Sequence, residues 1–217
     1  MNRLIPIILG VAILAGGAYW YSTTGGTSTS ISANAETTSQ TINGVEIEDM
    51  VLGSADAPIT VVEYASYTCP HCASFHAGTF KQLKSDYIDT GKVKFVYREV
   101  YFDRPGLWAS IIARCGGQEK FFGISDMIYD QQRAWSGSGD PVQIAEALRK
   151  IGRTAGLENE TLEACLADAD KAQSLVTWFE GNAAKDGIRS TPSFVIDGKL
   201  HSNMSYADFS ELLDGKL

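Results

Sequence analysis

Ile59-Thr60-Val61-Val62-Glu63-Tyr64-Ala65-Ser66-Tyr67-Thr68-Cys69-Pro70-His71-Cys72 is the stretch that decides the fold. Its first seven residues are nearly all apolar and rich in β-branched side chains, the composition of a strand buried on both faces. After Cys72, Phe75, Thr79, Leu83 and Tyr87 recur at helical spacing, Phe80 widens the stripe, and Gly91 supplies a helix stop. A second strand is expected over 92–100. Two thiols three residues apart thus stand at the carboxyl end of one strand and the start of one helix, where open α/β sheets place their chemistry. A thiolate there faces unpaired N–H groups and the positive end of the helix dipole. Its pKa falls, which makes it both a ready nucleophile and a good leaving group. Cys72 lies one turn further on and can close a disulfide with Cys69.

A Cys-x-x-Cys pair is also half of a zinc site, but such a site needs a second ligand pair of similar spacing. None is present. Cys115 and Cys165 are isolated, and His71, His76 and His201 form no compact cluster. Cys72 and His76, four residues apart on one helix, are the two residues placed to share a metal. The expected chemistry is redox, with no cofactor beyond a Cys69–Cys72 disulfide and no metal ligands.

Thr191-Pro192 precedes a strand-like run over 193–197, and Asp197-Gly198 offers a two-residue hairpin turn. A cis bond before Pro192 would aim the Thr191 backbone at the dithiol and let it pair with an incoming peptide strand, although cis is the minor isomer. Glu63 is the one charged residue in its strand. A buried, unpaired carboxylate is costly and its pKa rises. Glu63 therefore either reaches water at the strand end or sits beneath the cysteines with a task.

These residues together resemble the thioredoxin superfamily and, within it, the DsbA-like periplasmic disulfide oxidoreductases. The resemblance rests on residues 63–72, on Thr191-Pro192 before a strand and hairpin, and on the long helical segment between; it covers 47–217. It implies an α/β thioredoxin fold with an inserted all-helical subdomain. The thioredoxin-fold parts would be 44–103 and 189–217, with the helical insertion at 104–188. It further implies that Cys69 is the nucleophile forming mixed disulfides and Cys72 the buried resolving thiol. Pro70 and His71 are the dipeptide typical of DsbA, and His71 is expected to stabilise the Cys69 thiolate by hydrogen bonding and charge. Thr191 and Pro192 would bind substrate backbone, and Glu63 would accept the Cys72 proton. Thr191 is also common among disulfide isomerases of the superfamily, so oxidase and isomerase or reductase roles both stay open. A copper-handling thiol carrier is a further alternative. The implied partners are reduced or unfolded exported proteins and a membrane protein that reoxidises the dithiol.

Arg3 precedes residues 4–21, 18 residues without charge, near the lower length of a membrane span. Residues 1–21 are therefore a secretory signal or a retained anchor. Residues 22–40 hold 11 Ser or Thr in 19 positions, and 22–43 reads as a flexible linker. The domain at 44–217 is expected in the periplasm, as a monomer. In an oxidising compartment the leftover Cys115 and Cys165 are expected to pair. The alternative is two free buried thiols. Similar second disulfides occur in some DsbA-like proteins. The net charge of −8 speaks against nucleic acid or an anionic membrane surface as ligand.

Overall fold

The computed structural model describes residues 39–217. Residues 1–38, which hold the apolar run 4–21 and most of the expected linker, lie outside the described residues. Among the described residues no helix is long and apolar enough to cross a membrane.

A five-stranded mixed sheet carries the molecule. Its strands are β3 (Met50–Leu52), β4 (Ile59–Ala65), β5 (Val93–Glu99), β6 (Ser193–Ile196) and β7 (Lys199–Ser202), in the order β3-β5-β4-β6-β7. Strands β4 and β5 run parallel; every other neighbouring pair is antiparallel. Side chains alternate across a strand. On β4, Ile59, Val61 and Ala65 enter the main core, and Tyr64 enters a smaller one on the opposite face. Phe95, Tyr97, Phe194 and Ile196 join the first face. Both faces are covered, which explains the nearly unbroken apolar run of β4. Register places Glu63 beside Tyr97 on one side and Phe194 on the other, in the middle of the sheet.

Between β4 and β5 run α1 (Pro70–Ala77), α2 (Thr79–Leu83) and a π-helical turn, Lys84–Ile88, broken at Gly78 and ended by Gly91 at φ +75°. Six helices separate β5 from β6: α3 (Arg104–Cys115), α4 (Gly117–Asp130), α5 (Gln132–Ser136), α6 (Pro141–Thr154), α7 (Asn159–Ala167) and α8 (Ala169–Asp186). Local chemistry sets their ends. Asp103 and Asp140 cap α3 and α6 by accepting from Gly106 N and Val142 N, each with Pro in the first turn. Gly187 closes α8 in the left-handed conformation. The hairpin between β6 and β7 turns on Asp197 and Gly198, both at positive φ (45° and 80°). The closing helix, α9 (Tyr206–Asp214), begins with a Ser205/Asp208 capping box.

A buried ion pair bolts α3 to the sheet, and a second ties β5 to the residue before β3. Arg114 of α3 donates from Nε and Nη2 to both oxygens of Glu99 on β5, at 2.6 Å each, while Ser110 Oγ donates to Glu99 Oε1. Arg98 holds Asp49 in the same two-pronged way at 2.8 and 2.9 Å. Cys115 of α3 and Cys165 of α7 are joined by a disulfide with their Cα atoms 6.0 Å apart.

One boundary expectation is corrected. The linker placed at 22–43 ends earlier, because Ser39–Ile42 is a strand (β1) paired with β2 (Val45–Glu48). Asn43 and Gly44, at φ 50° and 82°, make the tight turn between them. The hairpin persists because Ile42, Val45 and Ile47 pack with Leu175 and Trp178 of α8, and Ser174 Oγ donates to the Ile42 carbonyl.

The disulfide closes a loop of 50 residues. In the loop-entropy model the double substitution Cys115→Ser/Cys165→Ser should lower unfolding stability by about 4 kcal/mol. Urea titration of the oxidised wild type and the variant checks this; coincident curves would show that the bridge does not constrain the unfolded chain.

Candidate active site

Cys69 is the N-cap residue of α1, extended at φ −82° and ψ 118°, with Pro70 opening the helix. Proline suits this place because the first helical N–H has no intrahelical partner. Three contacts fix the turn. Cys69 N donates to the Ser66 carbonyl at 3.1 Å, and Ala73 N donates to the Cys69 carbonyl at 3.2 Å. Gln132 Nε2, from α5, donates to both the Tyr67 and Cys69 carbonyls, at 2.8 and 2.9 Å. Nothing in the sequence marks Gln132, which lies 63 residues away from Cys69.

Cys69 and Cys72 are both free thiols here. Their environments differ sharply. Cys69 is 9% exposed, and its pKa falls to about 5. The hydrogen bond from the Cys72 thiol contributes most, Thr191 and the backbone amides of Cys72 and His71 add to it, and partial burial opposes them. Cys72 is wholly buried, and its pKa is pushed far up, first by burial, then by the Cys69 thiol and the Glu63 charge. One thiol is thus poised to ionise and its neighbour to stay protonated.

The Thr191–Pro192 peptide bond is cis, and Cys69 Sγ donates to the Thr191 carbonyl at 3.5 Å. This loop leads directly into β6, the strand beside the central β4. Pro70 and His71 are exposed. The His71 side chain projects to solvent, and its influence on Cys69 comes through the backbone amide.

Glu63 does not reach water. It is 0% exposed, and its Oε2 lies 2.9 Å from Nε2 of His76, itself 3% exposed. His76 is therefore committed to Glu63, not to Cys72 as a shared metal would need. Among the described residues no three His, Cys, Asp or Glu side chains are grouped to hold a metal ion. Around the pair stand three buried tyrosines. Tyr97 and Tyr129 share a hydrogen bond of 2.6 Å between their hydroxyls, and Tyr67 bonds Ser125 Oγ at the same distance. Burial raises all three phenols well above their ordinary range, so they stand as neutral donors. His76 is the residue that sequence reasoning undervalued. Its signal was its position four residues after Cys72, on the same helical face.

The family model described as thioredoxin matches residues 46–215, and the chain belongs to that family. It is 40% identical over 173 residues to a protein of Rickettsia bellii named as a protein-disulfide oxidoreductase, covering 78% of this chain and 65% of that one. The chain thus spans slightly less than two thirds of that relative's length. It is 29% identical to disulfide bond formation protein D of Bacillus subtilis, over 75% of this chain and 72% of the other. Among solved structures, alpha-DsbA1 of Wolbachia pipientis superposes with a TM-score of 0.70 at 28% identity, covering 77% of this chain and 89% of that one. The architecture is the DsbA-like form of the thioredoxin fold, with helices inserted between β5 and β6.

The lowered pKa makes a direct prediction. Thiolate absorbance of the reduced protein should titrate with a midpoint near pH 5 and vanish in Cys69→Ser. A free thiol ionises near pH 8.5. The folded-state value is the lower one, so the thiolate's stabilisation of the folded, reduced form is complete above about pH 8.5. It shrinks as pH falls and is lost below about pH 5. A midpoint near 8 would contradict the electrostatics described here.

Proposed function

We propose that this chain is an exported thiol:disulfide oxidoreductase that introduces disulfides into reduced substrate proteins. The observation carrying this is the placement of the two thiols: Cys69 caps the N-terminus of α1, where its pKa falls to about 5, and Cys72 lies wholly buried within the same helix, where burial pushes its pKa far up. A low-pKa thiol leaves a mixed disulfide readily, and stabilising its thiolate favours the reduced enzyme, so the disulfide form is an oxidant. DsbA is itself the best-known dithiol that oxidises strongly because its reduced form is the stabilised one.

The steps follow from the geometry. A substrate thiolate attacks Cys69 Sγ, the sulfur of the less buried cysteine. A bond forms between the substrate sulfur and Cys69, the Cys69–Cys72 bond breaks, and the electron pair goes to Cys72 Sγ. Cys72 takes up a proton, and Glu63 beneath it serves as donor. In the reverse direction, when the dithiol is reoxidised, Glu63 receives that proton. A second substrate thiolate then attacks the mixed disulfide, and Cys69 leaves as a thiolate. Two substrate thiols have become one disulfide. Cys72 holds the proton that came from Glu63, and the two protons released by the substrate thiols go to solvent.

Thr191, whose carbonyl lies 3.5 Å from Cys69 Sγ, and Pro192 form the ledge on which an extended substrate backbone rests. Backbone pairing of this kind tolerates many sequences, as a general oxidase requires. Pro70 and His71 hold the helix start, so that the His71 amide points at the Cys69 sulfur. The segment 1–21 directs export or retains the domain at the membrane. A membrane partner reoxidises the dithiol, and the domain works in the periplasm as a monomer.

Oxidised protein mixed with a reduced two-cysteine peptide should pass its disulfide to the peptide and emerge as the dithiol. Cys69→Ser should be inert, and reduced Cys72→Ser mixed with the peptide in its disulfide form should accumulate a mixed disulfide, visible by mass spectrometry. Transfer by Cys69→Ser, or none by the wild type, would refute the assignment.

A further inference from the structure

The contact between Glu63 and His76 is an unusual one to bury. Placing a carboxylate and an imidazole in a core is expensive, and an apolar pair of like volume often does as well for stability. This pair is also incompletely satisfied. Glu63 Oε1 and His76 Nδ1 are both buried and have no hydrogen-bond partner. A buried polar atom without a partner is costly to keep. The imidazole is nevertheless held firmly. Tyr129 stacks on it with ring centres 4.4 Å apart, Phe80 lies at 4.6 Å, and Phe75 and Tyr97 meet it edge-on at 5.5 and 5.8 Å. Cys72 stands one turn back on the same helix, near enough for the Glu63 charge to act on its sulfur.

The two unsatisfied atoms are two seats for one proton. With His76 Nε2–H donating to Glu63 Oε2, an ionisable proton can sit on Glu63 Oε1 beside a neutral imidazole. Alternatively it sits on His76 Nδ1 beside a carboxylate. Either arrangement is neutral overall, which a buried site favours. The other titratable groups facing the pair are Cys72 from α1, Tyr97 from β5, and Tyr129 and Asp126 from α4. The tyrosines are neutral. Asp126 lies at the surface and feels the His76 charge.

We propose that His76 is a positioning residue for proton transfer at Cys72. It clamps Glu63 through Oε2, shares one ionisable proton with it, and leaves Oε1 free to exchange that proton with the Cys72 sulfur. This rests on the role given to Glu63 above. When the disulfide breaks, Oε1 gives its proton to Cys72, and the carboxylate that remains is still held by the Nε2–H. When the dithiol is reoxidised, the same carboxylate takes the proton back. Without the imidazole, the carboxylate would be left bare in the core and its charge state would no longer be shared.

The test is the single-turnover rate of reduction of the Cys69–Cys72 disulfide by glutathione from pH 4.5 to 9. It is run on wild type, His76→Gln, Glu63→Gln and the double variant, each with its thermal unfolding curve. Glutamine keeps a donor for Glu63 Oε2 but cannot hold the proton. His76→Gln should unfold near the wild-type temperature, slow the step about tenfold near neutral pH and lose one ionisation from the profile. The double variant should be no slower than Glu63→Gln, because the two residues act as one unit. A wild-type profile in His76→Gln with an altered one in Glu63→Gln would overturn the role of His76 and leave that of Glu63 standing. Wild-type profiles in both would overturn both. Should His76→Gln fail to fold, 15N spectra of the His76 ring in the native protein decide the matter. The Nδ1 signal should titrate differently in the oxidised and dithiol forms, and identical titrations would overturn the proposal.

Discussion

The hydrogen bonds that converge on the Cys69 sulfur favour the reduced protein. They come from the Cys72 thiol, from the Thr191 side chain and from the amides at the start of α1, and a thiolate accepts them far better than a disulfide sulfur does. The free energy they supply therefore separates the two redox states, and the fold's task is to hold their donors still. Burial of Cys72 works in the same direction. A wholly buried sulfur resists ionisation, so the pair has one thiolate and one thiol and not two competing nucleophiles.

The scaffold explains why that arrangement persists. Strand β4 delivers Cys69 to the sheet's carboxyl end, and β6, beside it, brings the Thr191 carbonyl to the sulfur from the far end of the chain. Gln132, in the helical insertion, ties the Tyr67 and Cys69 carbonyls from a third direction. The insertion is fastened in turn by Arg114 on Glu99 and by the Cys115–Cys165 bond. Removing one partner of such a buried ion pair costs about 3–5 kcal/mol, so these contacts also fix where the insertion sits on the sheet.

How much of this was legible in the sequence depends on whether the signal was local. Strand β4 announces itself by its apolar run, and the β6–β7 turn by Asp197-Gly198, because both depend on neighbours in sequence. The cysteine pair is legible because its chemistry lies in its spacing. The Asn43-Gly44 turn is as strong a local signal, yet the Ser/Thr-rich composition around it masked the strands it joins. Gln132 and the Glu63–His76 contact were not legible. Each joins residues that only the folded topology brings together, 13 residues apart for the pair and 63 for Gln132 and Cys69. His71 is a prominent side chain in the motif, and the hydrogen bond it gives Cys69 comes from its backbone amide.

The equilibrium reduction potential of the Cys69–Cys72 couple, measured in a glutathione buffer with Cys115 and Cys165 left bonded, tests the central claim most directly. If the thiolate is stabilised as described, the potential lies above about −180 mV, toward the oxidising end of the thioredoxin-fold scale. A value near about −230 mV or below would make the disulfide the stable form and contradict the account.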